Sequence, residues 1–335
     1  MKTCREWTEV TPELFHAEIR PANRPAVLRG LVVDWPLVAA GRDTPAALCA
    51  YLRRFGTDRP AMAFFGPPEI RGRFFYNETL DGFNHERRQV PLADILDLLM
   101  RHLDDPDPPS FYAGGVPVDT HLPGLLEENP APPVAPDGER LVAFWVGNRA
   151  RIPAHWDLPQ NIACDIAGRR RFTLLPTGQV QNLYVGPLDF TLAGQPCSLV
   201  DFDDPDFARF PRFRDALAHC EEAILEPGDA LYIPSLWWHR VESLDAAGAM
   251  MNFWWREGPS HLVTPFLTML HALLTIRDLP PGERRAWKTM FDHYIFQTNG
   301  DPWAHLPPHA RGIFGPLTPD RLQELREYLI GTLRR

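Results

Sequence analysis

The stretch IPAHWDLPQN, residues 152–161, places a histidine and an aspartate two positions apart in an otherwise apolar, strand-like segment. Burying either group without a partner is costly, and a buried charge costs more than a buried amide. Successive side chains of a β-strand point to opposite faces, so His155 and Asp157 share one face while Trp156 faces the other. The pattern therefore predicts that a third group is the common partner of His155 and Asp157.

A second segment, EPGDALYIPSLWWHRVESL at residues 226–244, offers that partner in His239. Its PGD turn and its strand ALYIP would return the chain to the same end of a barrel. Two histidines and one carboxylate form a facial triad that leaves coordination positions open, as is typical of non-haem Fe(II) oxygenases. His155, Asp157 and His239 are therefore the predicted metal ligands and the predicted catalytic residues.

Each of these two segments alone supports a less specific interpretation. An isolated H-x-D is more often a hydrogen-bonded surface pair, because polar groups usually find such partners. An isolated Trp-Trp-His is more often part of a core than a metal ligand. Their occurrence together, each beside predicted barrel strands, favours the metal site.

The segments around them predict a β-rich core between residues 140 and 256. The candidate strands there are RLVAFWVGN, NIACDI, RRRFTLLP, AILEPGDALYIP, HRVESL and AMMNFWW. Short, evenly spaced strands with turn signals between them are typical of a sandwich or barrel. Before residue 140 helix and strand patterns alternate. The segments TPELFHAEI (11–19) and TPAALCAYLRRFG (44–56) predict helices that begin with a threonine cap followed by proline. RFFYNETL (73–80) is one strand candidate, and the Pro-rich residues 122–140 predict a surface connection. After residue 259 the patterns are helical.

Composition limits the partners and the compartment. The 335 residues carry a formal net charge of −9, which argues mildly against nucleic acid as the main partner. Lys2 and Lys288 are the only lysines, so a buried cation in the core has to be arginine. Five cysteines without a C-x-x-C, a start without an apolar signal region and no membrane-length apolar run lead us to expect a cytoplasmic protein without membrane attachment.

Taken together, these segments resemble the JmjC-type, cupin-like 2-oxoglutarate oxygenases, and within that family most closely the asparaginyl hydroxylase of the hypoxia-inducible factor. The likeness extends through GRRRFTLLP (168–176), NLYVGP (182–187), VDFDDPDFARFPRF (200–213) and NFWW (252–255). It implies a mainly β fold with flanking helices, a double-stranded β-helix of the jelly-roll type with a C-terminal helical appendage. The implied domains are an oxygenase domain at 1–258, with an N-terminal α/β part at 1–139 and a barrel core at 140–258, and a helical, dimerising region at 259–335.

The resemblance also implies Fe(II) as the metal, with 2-oxoglutarate and O2 as co-substrates. The far carboxylate of 2-oxoglutarate would lie in the barrel and need a buried cation or hydrogen bonds. Where the family member has a lysine for this purpose, the present chain has Arg170. Strand alternation places Arg170 on the face opposite Arg169 and Arg171, although all three arginines could instead be solvated.

Three further residues match family positions that lie beside the same co-substrate: Tyr112, Asn161 and Asn252. From the residues alone, the two asparagines are polar groups in apolar strands and need partners. A ligand or a neighbouring backbone group would serve equally well, so the spacing does not decide between them.

The resemblance implies hydroxylation of a substrate C–H bond while 2-oxoglutarate is decarboxylated to succinate. Pro159, Pro196 and Cys197 stand where the asparaginyl hydroxylase has polar residues that hold its target amide, and none replaces a strong donor. We therefore expect a protein or peptide side chain other than asparagine. The alternatives are a small molecule or a tRNA base as substrate, or a metal-binding cupin without catalysis.

The C-terminal segment LVTPFLTMLHALLTI, residues 262–276, is apolar on more than one face. Such a helix has to be covered by something. Family members commonly dimerise through helices of this kind, so a homodimer is expected. The alternative is that the helix packs on its own barrel.

Overall fold

Two β-sheets dominate the computed structural model, which describes residues 1–334. The described strands are β1 (Lys2–Thr3), β2 (Glu6–Trp7), β3 (Ala26–Leu28), β4 (Pro60–Gly66), β5 (Glu86–Pro91), β6 (Ser110–Pro117), β7 (Leu141–Gly147), β8 (Arg151–His155), β9 (Gln160–Ala167), β10 (Arg170–Leu175), β11 (Glu221–Leu225), β12 (Ala230–Ile233), β13 (Trp238–Ser243) and β14 (Gly248–Trp255). The chain divides into two compact units, Met1–Gly258 and Pro259–Arg335, and all of these strands belong to the first.

Helices flank the sheets of the first unit and make up the second. They are α1 (Pro12–Leu14), α2 (Pro36–Asp43), α3 (Pro45–Arg53), α4 (Leu92–Arg101), α5 (Val118–His121), α6 (Leu125–Glu128), α7 (Phe213–Ala218), α8 (Pro265–Thr275), α9 (Pro281–Tyr294) and α10 (Pro319–Leu333). A π-helical turn, Phe15–Ile19, continues α1, and short 3₁₀ turns occur in several connections. No helix within residues 1–334 is both long and apolar enough to cross a membrane.

The barrel is formed by β7–β14, which are distributed over both sheets. The smaller sheet has the order β1-β11-β10-β13-β8, and the larger has the order β2-β3-β12-β9-β14-β7-β6-β4-β5. The pairings among β7–β14 are antiparallel. Two four-stranded halves, β11-β10-β13-β8 and β12-β9-β14-β7, therefore face each other as in a jelly roll. This confirms the predicted mainly β fold with flanking helices.

Alternation of inward and outward residues produces the core between these halves. Phe172 and Leu174 of β10 pack with Leu231 of β12 and Met250 of β14 in one buried apolar cluster. A second, larger cluster lies between the big sheet and the helices α2, α3 and α4. Both faces of the larger sheet are thus covered, which explains why its central strands are nearly continuous in apolar residues.

The threonine caps predicted for the first helices are confirmed. Thr11 accepts a hydrogen bond from the backbone N–H of Leu14 at 3.3 Å, and Thr44 accepts one from Ala47 at 3.1 Å. In both cases a proline follows the cap, where its missing N–H costs nothing.

Two expectations for the N-terminal part are wrong. Residues 73–80 form only isolated bridges, from Arg73 to Arg151 and from Tyr76 to Phe83, and no strand. The Pro-rich residues 122–140 are no surface connection, because Leu122, Leu125 and Val134 are buried in the large core cluster. Apart from the single turn of α6, prolines prevent regular structure there, but they leave the apolar side chains between them free to pack.

Every cysteine of the chain is buried and free of disulfide bonds. The cytoplasmic location expected from the sequence stays a prediction.

Candidate metal centre and adjoining cavity

The three predicted metal ligands lie together at one end of the barrel. His155 is the last residue of β8, and His239 pairs with it directly on the neighbouring strand β13. Asp157 lies two residues beyond the end of β8, where its carbonyl oxygen accepts a hydrogen bond from the N–H of Leu236 at 2.9 Å. The strand is thus shorter than predicted, yet the chain still brings Asp157 beside both histidines. Trp156 faces away and packs against the cluster around Leu175.

The donor atoms of this triad are close enough to share one ion. One ligand atom from each of the three residues lies within 4.8 Å of the other two. His239 Nε2 is 3.6 Å from Asp157 Oδ2, and the two imidazole rings are 4.3 Å apart at their centroids. Within residues 1–334 this is the single group of three His, Cys, Asp or Glu side chains that could hold a metal.

Backbone carbonyl groups determine which nitrogen of each histidine faces the site. Nδ1 of His155 lies 2.9 Å from the oxygen of Pro153, and Nδ1 of His239 lies 3.0 Å from the oxygen of Trp237. A carbonyl oxygen only accepts, so each Nδ1 carries the proton and donates it. Each Nε2 is then left with a lone pair for a metal, as in known metal-binding histidines.

Burial keeps His239 neutral. The residue is 3% exposed, and desolvation together with the neighbouring His155 lowers its pKa to about 4. A neutral imidazole at neutral pH is the form that binds a metal. With one carboxylate and two imidazoles, the donor set fits a divalent transition metal.

A cavity of about 360 Å³ adjoins the triad and collects all of the residues predicted for the co-substrate. Tyr112, Asn161, Arg170 and Asn252 line it together with the three metal ligands. These four come from β6, β9, β10 and β14, so the fold brings together residues up to 140 positions apart in the chain. Their proposed contacts with a co-substrate stay predictions.

Among the three consecutive arginines, only Arg170 reaches the cavity. It is 7% exposed, and its Nε donates to Asp165 Oδ1 at 3.1 Å. Arg169 pairs instead with Asp245, and Arg171 pairs with Glu222 and Glu242. The alternation predicted for this strand is therefore present, and full solvation of Arg170 is excluded.

The two predicted asparagines are hydrogen bonded to each other. Nδ2 of Asn252 donates to Oδ1 of Asn161 at 2.8 Å across the β9–β14 pairing. Oδ1 of Asn252 is buried and has no hydrogen-bond partner among the described residues. Burying an amide oxygen without a hydrogen-bond donor is costly. This wall of the cavity therefore has an unsatisfied acceptor in Oδ1 of Asn252.

Tyr112 is held rigidly by aromatic neighbours. Its ring stacks on Phe64 at 4.6 Å and meets Phe74 edge-on at 4.8 Å. Burial raises the pKa of its phenol, so the hydroxyl stays protonated and can donate. Its hydroxyl makes no hydrogen bond to any described residue, which leaves the donor available at the cavity.

Asp165 is the one ionisable residue of this region that sequence reasoning missed. It stands in NIACDIAG, four residues after Asn161 on β9, and therefore on the same face. A lone carboxylate inside an apolar strand was a usable signal, because such a group needs a partner. What the sequence did not reveal is that this partner is Arg170 of the opposite sheet.

Comparison with known proteins identifies the family. The profile of the Cupin-like domain matches residues 12–261, which is most of the chain. The chain belongs to the cupin-like domain family. The match covers the barrel, all three metal ligands and the four cavity residues described above, and it confirms the resemblance to JmjC-type, cupin-like proteins.

Curated relatives of this cupin-like protein carry names of several kinds. It is 24% identical to Lysine-specific demethylase JMJ31 of Arabidopsis thaliana over 78% of this chain and 52% of that protein. It is 26% identical to Lysine-specific demethylase 8 of Xenopus tropicalis over 72% and 50%, respectively. It is 27% identical to tRNA wybutosine-synthesizing protein 5 of Danio rerio over 76% and 75%. The chain thus spans about half the length of the two demethylases, and the likeness to an asparaginyl hydroxylase stays a prediction.

Proposed function

We propose that this cupin-like protein is an Fe(II)- and 2-oxoglutarate-dependent oxygenase that hydroxylates a C–H bond of a protein or peptide side chain. Per turnover, one O2 is consumed, 2-oxoglutarate becomes succinate and CO2, and the substrate C–H becomes C–OH. The observation that carries this proposal is the meeting of a His–Asp–His triad and a buried arginine in one cavity. A cupin that only stores a metal needs neither open coordination positions nor this cation.

His155, Asp157 and His239 would hold the iron, which when bound supplies the activation of O2 and the oxidation of the substrate. The remaining work falls to the chain itself. The backbone carbonyls of Pro153 and Trp237 keep both Nε2 atoms turned toward the metal position. The buried apolar walls of the cavity limit the access of water to it.

Arg170 and Tyr112 are the residues we assign to the distal carboxylate of 2-oxoglutarate. A guanidinium can bind a carboxylate through two parallel hydrogen bonds, and a protonated phenol adds a third donor. Asn161 and Asn252, which are hydrogen bonded to each other, line the same cavity. Asn252 contributes an acceptor that the protein itself does not satisfy.

The remaining lining of the cavity favours an uncharged substrate group. Its more exposed members are Leu141, Ala193 and Trp254, with Gln195 as a neutral polar neighbour. The charged residues in the lining are Asp157, which is a proposed ligand, and Arg170, which is paired with Asp165. A methylated ammonium group would therefore find no free carboxylate there, and burying it unpaired is costly. This supports hydroxylation of an apolar side chain over lysine demethylation.

The decisive experiment measures succinate formed from 2-oxoglutarate by anaerobically Fe(II)-loaded protein after O2 is admitted. We expect slow turnover without a substrate, and loss of at least about 100-fold in His155→Ala and Asp157→Ala, because the metal loses a ligand. His102→Ala is the matched control, since His102 forms a similar pair with Asp105 and does not line the cavity. It should retain the full rate.

The same assay also discriminates among substrates. Peptides that present leucine, phenylalanine, asparagine or trimethyl-lysine at one position are compared. We expect the leucine and phenylalanine peptides to increase the rate of succinate formation and to yield a hydroxylated product. Formaldehyde release from the trimethyl-lysine peptide would contradict the preference for an uncharged group. Absence of 2-oxoglutarate binding by the metal-loaded protein would contradict the oxygenase proposal and favour a metal-binding cupin.

We further propose that the protein forms a homodimer through the second unit. No residue of α8, α9 or α10 is buried. Large apolar side chains are exposed on all three helices, among them Leu274, Trp287 and Tyr328. Exposed apolar surface of this extent is unusual on a soluble monomer and is typical of a protein interface. A second copy presents the same apolar helices, so the two faces are complementary.

A further inference from the structure

A buried hydrogen bond from Arg170 to Asp165 joins the two halves of the barrel. Asp165 belongs to β9 of the larger sheet and Arg170 to β10 of the smaller one. The side chain of Asp165 is 0% exposed, and Arg170 Nε lies 3.1 Å from its Oδ1. The other carboxylate oxygen, Oδ2, is buried without a hydrogen-bond partner among the described residues. Because Asp165 is fully buried and Arg170 lines the cavity, a ligand there contacts the pair through Arg170.

The pair leaves the terminal nitrogens of Arg170 free to bind a ligand. They make no hydrogen bond to any described residue, whereas Nε is held by Asp165. Nη2 lies on the side of Gly248, where an added Cβ would be 3.3 Å away. Gly248 and Ser243 both line the cavity. Asp165 thus fixes one edge of the guanidinium so that its other nitrogens lie along the cavity wall.

A carboxylate bound to Arg170 would share the guanidinium with Asp165. Two ionised carboxylates and one cation leave an uncompensated negative charge in a buried site, which is costly. A proton on Asp165 removes that charge and still leaves a carboxyl oxygen to accept from Nε. The site is neutral in that state, with one cation and one bound carboxylate.

We propose that Asp165 is a positioning residue that orients Arg170 toward the distal carboxylate of 2-oxoglutarate and is protonated when that carboxylate is bound. This inference rests on the proposed function, because it takes 2-oxoglutarate as the ligand. It assigns to Asp165 a role in co-substrate affinity and in its dependence on pH.

The surroundings of Asp165 favour its neutral form. Burial raises the pKa of Asp165 to about 8, with Asp229 and Glu226 of the β11–β12 turn adding to the effect and Arg170 opposing it. Asp229 is itself paired with Arg29. On β14 the residue in register is Met250, which does not titrate, and the adjacent Cys164 has a thiol whose pKa is raised by burial.

The sign of the expected pH dependence follows from this raised pKa. Below about pH 8 Asp165 is neutral in the free protein, so Arg170 is fully available and the affinity for 2-oxoglutarate is constant. Above about pH 8 Asp165 ionises and competes for Arg170, so binding requires uptake of a proton. The affinity should then fall by up to about tenfold per pH unit.

Calorimetric titration of 2-oxoglutarate into anaerobic, Mn(II)-loaded protein tests this between about pH 7 and about pH 9.5. Titrations at the alkaline end in two buffers of different ionisation heat measure proton uptake directly. We expect uptake approaching one proton in the natural protein and none in Asp165→Asn, whose affinity should keep its neutral-pH value throughout. Glu242→Gln is the matched control, since Glu242 pairs with Arg171 outside the cavity, and it should behave like the natural protein.

Each outcome decides between the two proposals. Binding with no proton uptake in the natural protein, or equal uptake in Asp165→Asn, would overturn the role of Asp165 and leave the oxygenase proposal intact. The first of these results is measured on the natural protein alone, so the test does not depend on the folding of the variant. Absence of 2-oxoglutarate binding at every pH would overturn the proposed function, and this inference with it.

Discussion

Individual side chains of the cavity are held in place by their neighbours while a polar atom of each stays free to bind a ligand. Tyr112 shows this most clearly, because Phe64 and Phe74 immobilise its ring while its hydroxyl has no partner in the described protein. A fixed donor loses little conformational entropy when a ligand binds. The same arrangement recurs at Arg170, where Asp165 provides the restraint through Nε. The affinity of the site for a carboxylate is thus expected to depend on individual polar atoms.

Tyr112→Phe removes the hydroxyl and keeps the ring. A hydrogen bond to a charged group contributes about 1.5–3 kcal/mol, so the affinity for 2-oxoglutarate should fall by about tenfold or more. The melting temperature should change little, because the stacking on Phe64 is retained. Titration of the metal-loaded variant measures the effect. Tyr51→Phe, which alters a hydroxyl bonded to Glu128 away from the cavity, is the control, and equal losses in both variants would contradict the assignment.

The pairing of neighbouring strands determines where each cavity residue lies along the barrel. β6 carries Tyr112 and pairs with β7, with Tyr112 in register with Gly147. A Cβ at position 147 would lie 2.4 Å from the carbonyl oxygen of Phe111 and 2.5 Å from Cβ of Tyr112. Only glycine permits this close approach of the two strands. The position of Tyr112 therefore depends on a residue that has no side chain of its own.

Gly147→Ala should separate β6 from β7 and displace Tyr112. Overpacking of this kind costs about 1–3 kcal/mol of unfolding free energy, and the affinity for 2-oxoglutarate should fall as well. Urea unfolding and ligand titration measure the two effects. Gly178→Ala is the control, since an added Cβ there meets nothing within 4 Å. An unchanged unfolding free energy in Gly147→Ala would show that the strands adapt without cost.

The two compact units of the chain differ in how they bury apolar side chains. The first unit contains the core clusters and the metal centre. In the second, the helices α8–α10 have no buried residue, and Leu274 is 80% exposed. Proline follows a capping threonine at the start of α8 and α10, so these helices are well delimited locally. The helices themselves are well formed, and it is their exposed apolar surface that requires a partner.

Leu270→Asp combined with Leu274→Asp should convert the expected dimer into a monomer, because burying two charges in an apolar interface is costly. Light scattering should give twice the chain mass for the natural protein and the single mass for the variant. Val180→Asp is the control, since Val180 is also exposed but belongs to the first unit. A monomeric mass for the natural protein at micromolar concentration would refute the dimer.

Sequence patterns alone predicted the three candidate metal ligands, the β-rich barrel, the capped helices and the inward position of Arg170. These follow from local rules, namely the alternation of a strand, the chemistry of ligand types and the preferences of helix ends. The tertiary structure, and not the sequence, showed that residues 122–140 enter the core and that residues 73–80 form no strand. It alone also revealed the pairing of Asp165 with Arg170, because that contact joins opposite sheets and depends on how they face each other. Alternation along one strand predicts which way a side chain points, whereas its partner is determined by the packing of the whole barrel.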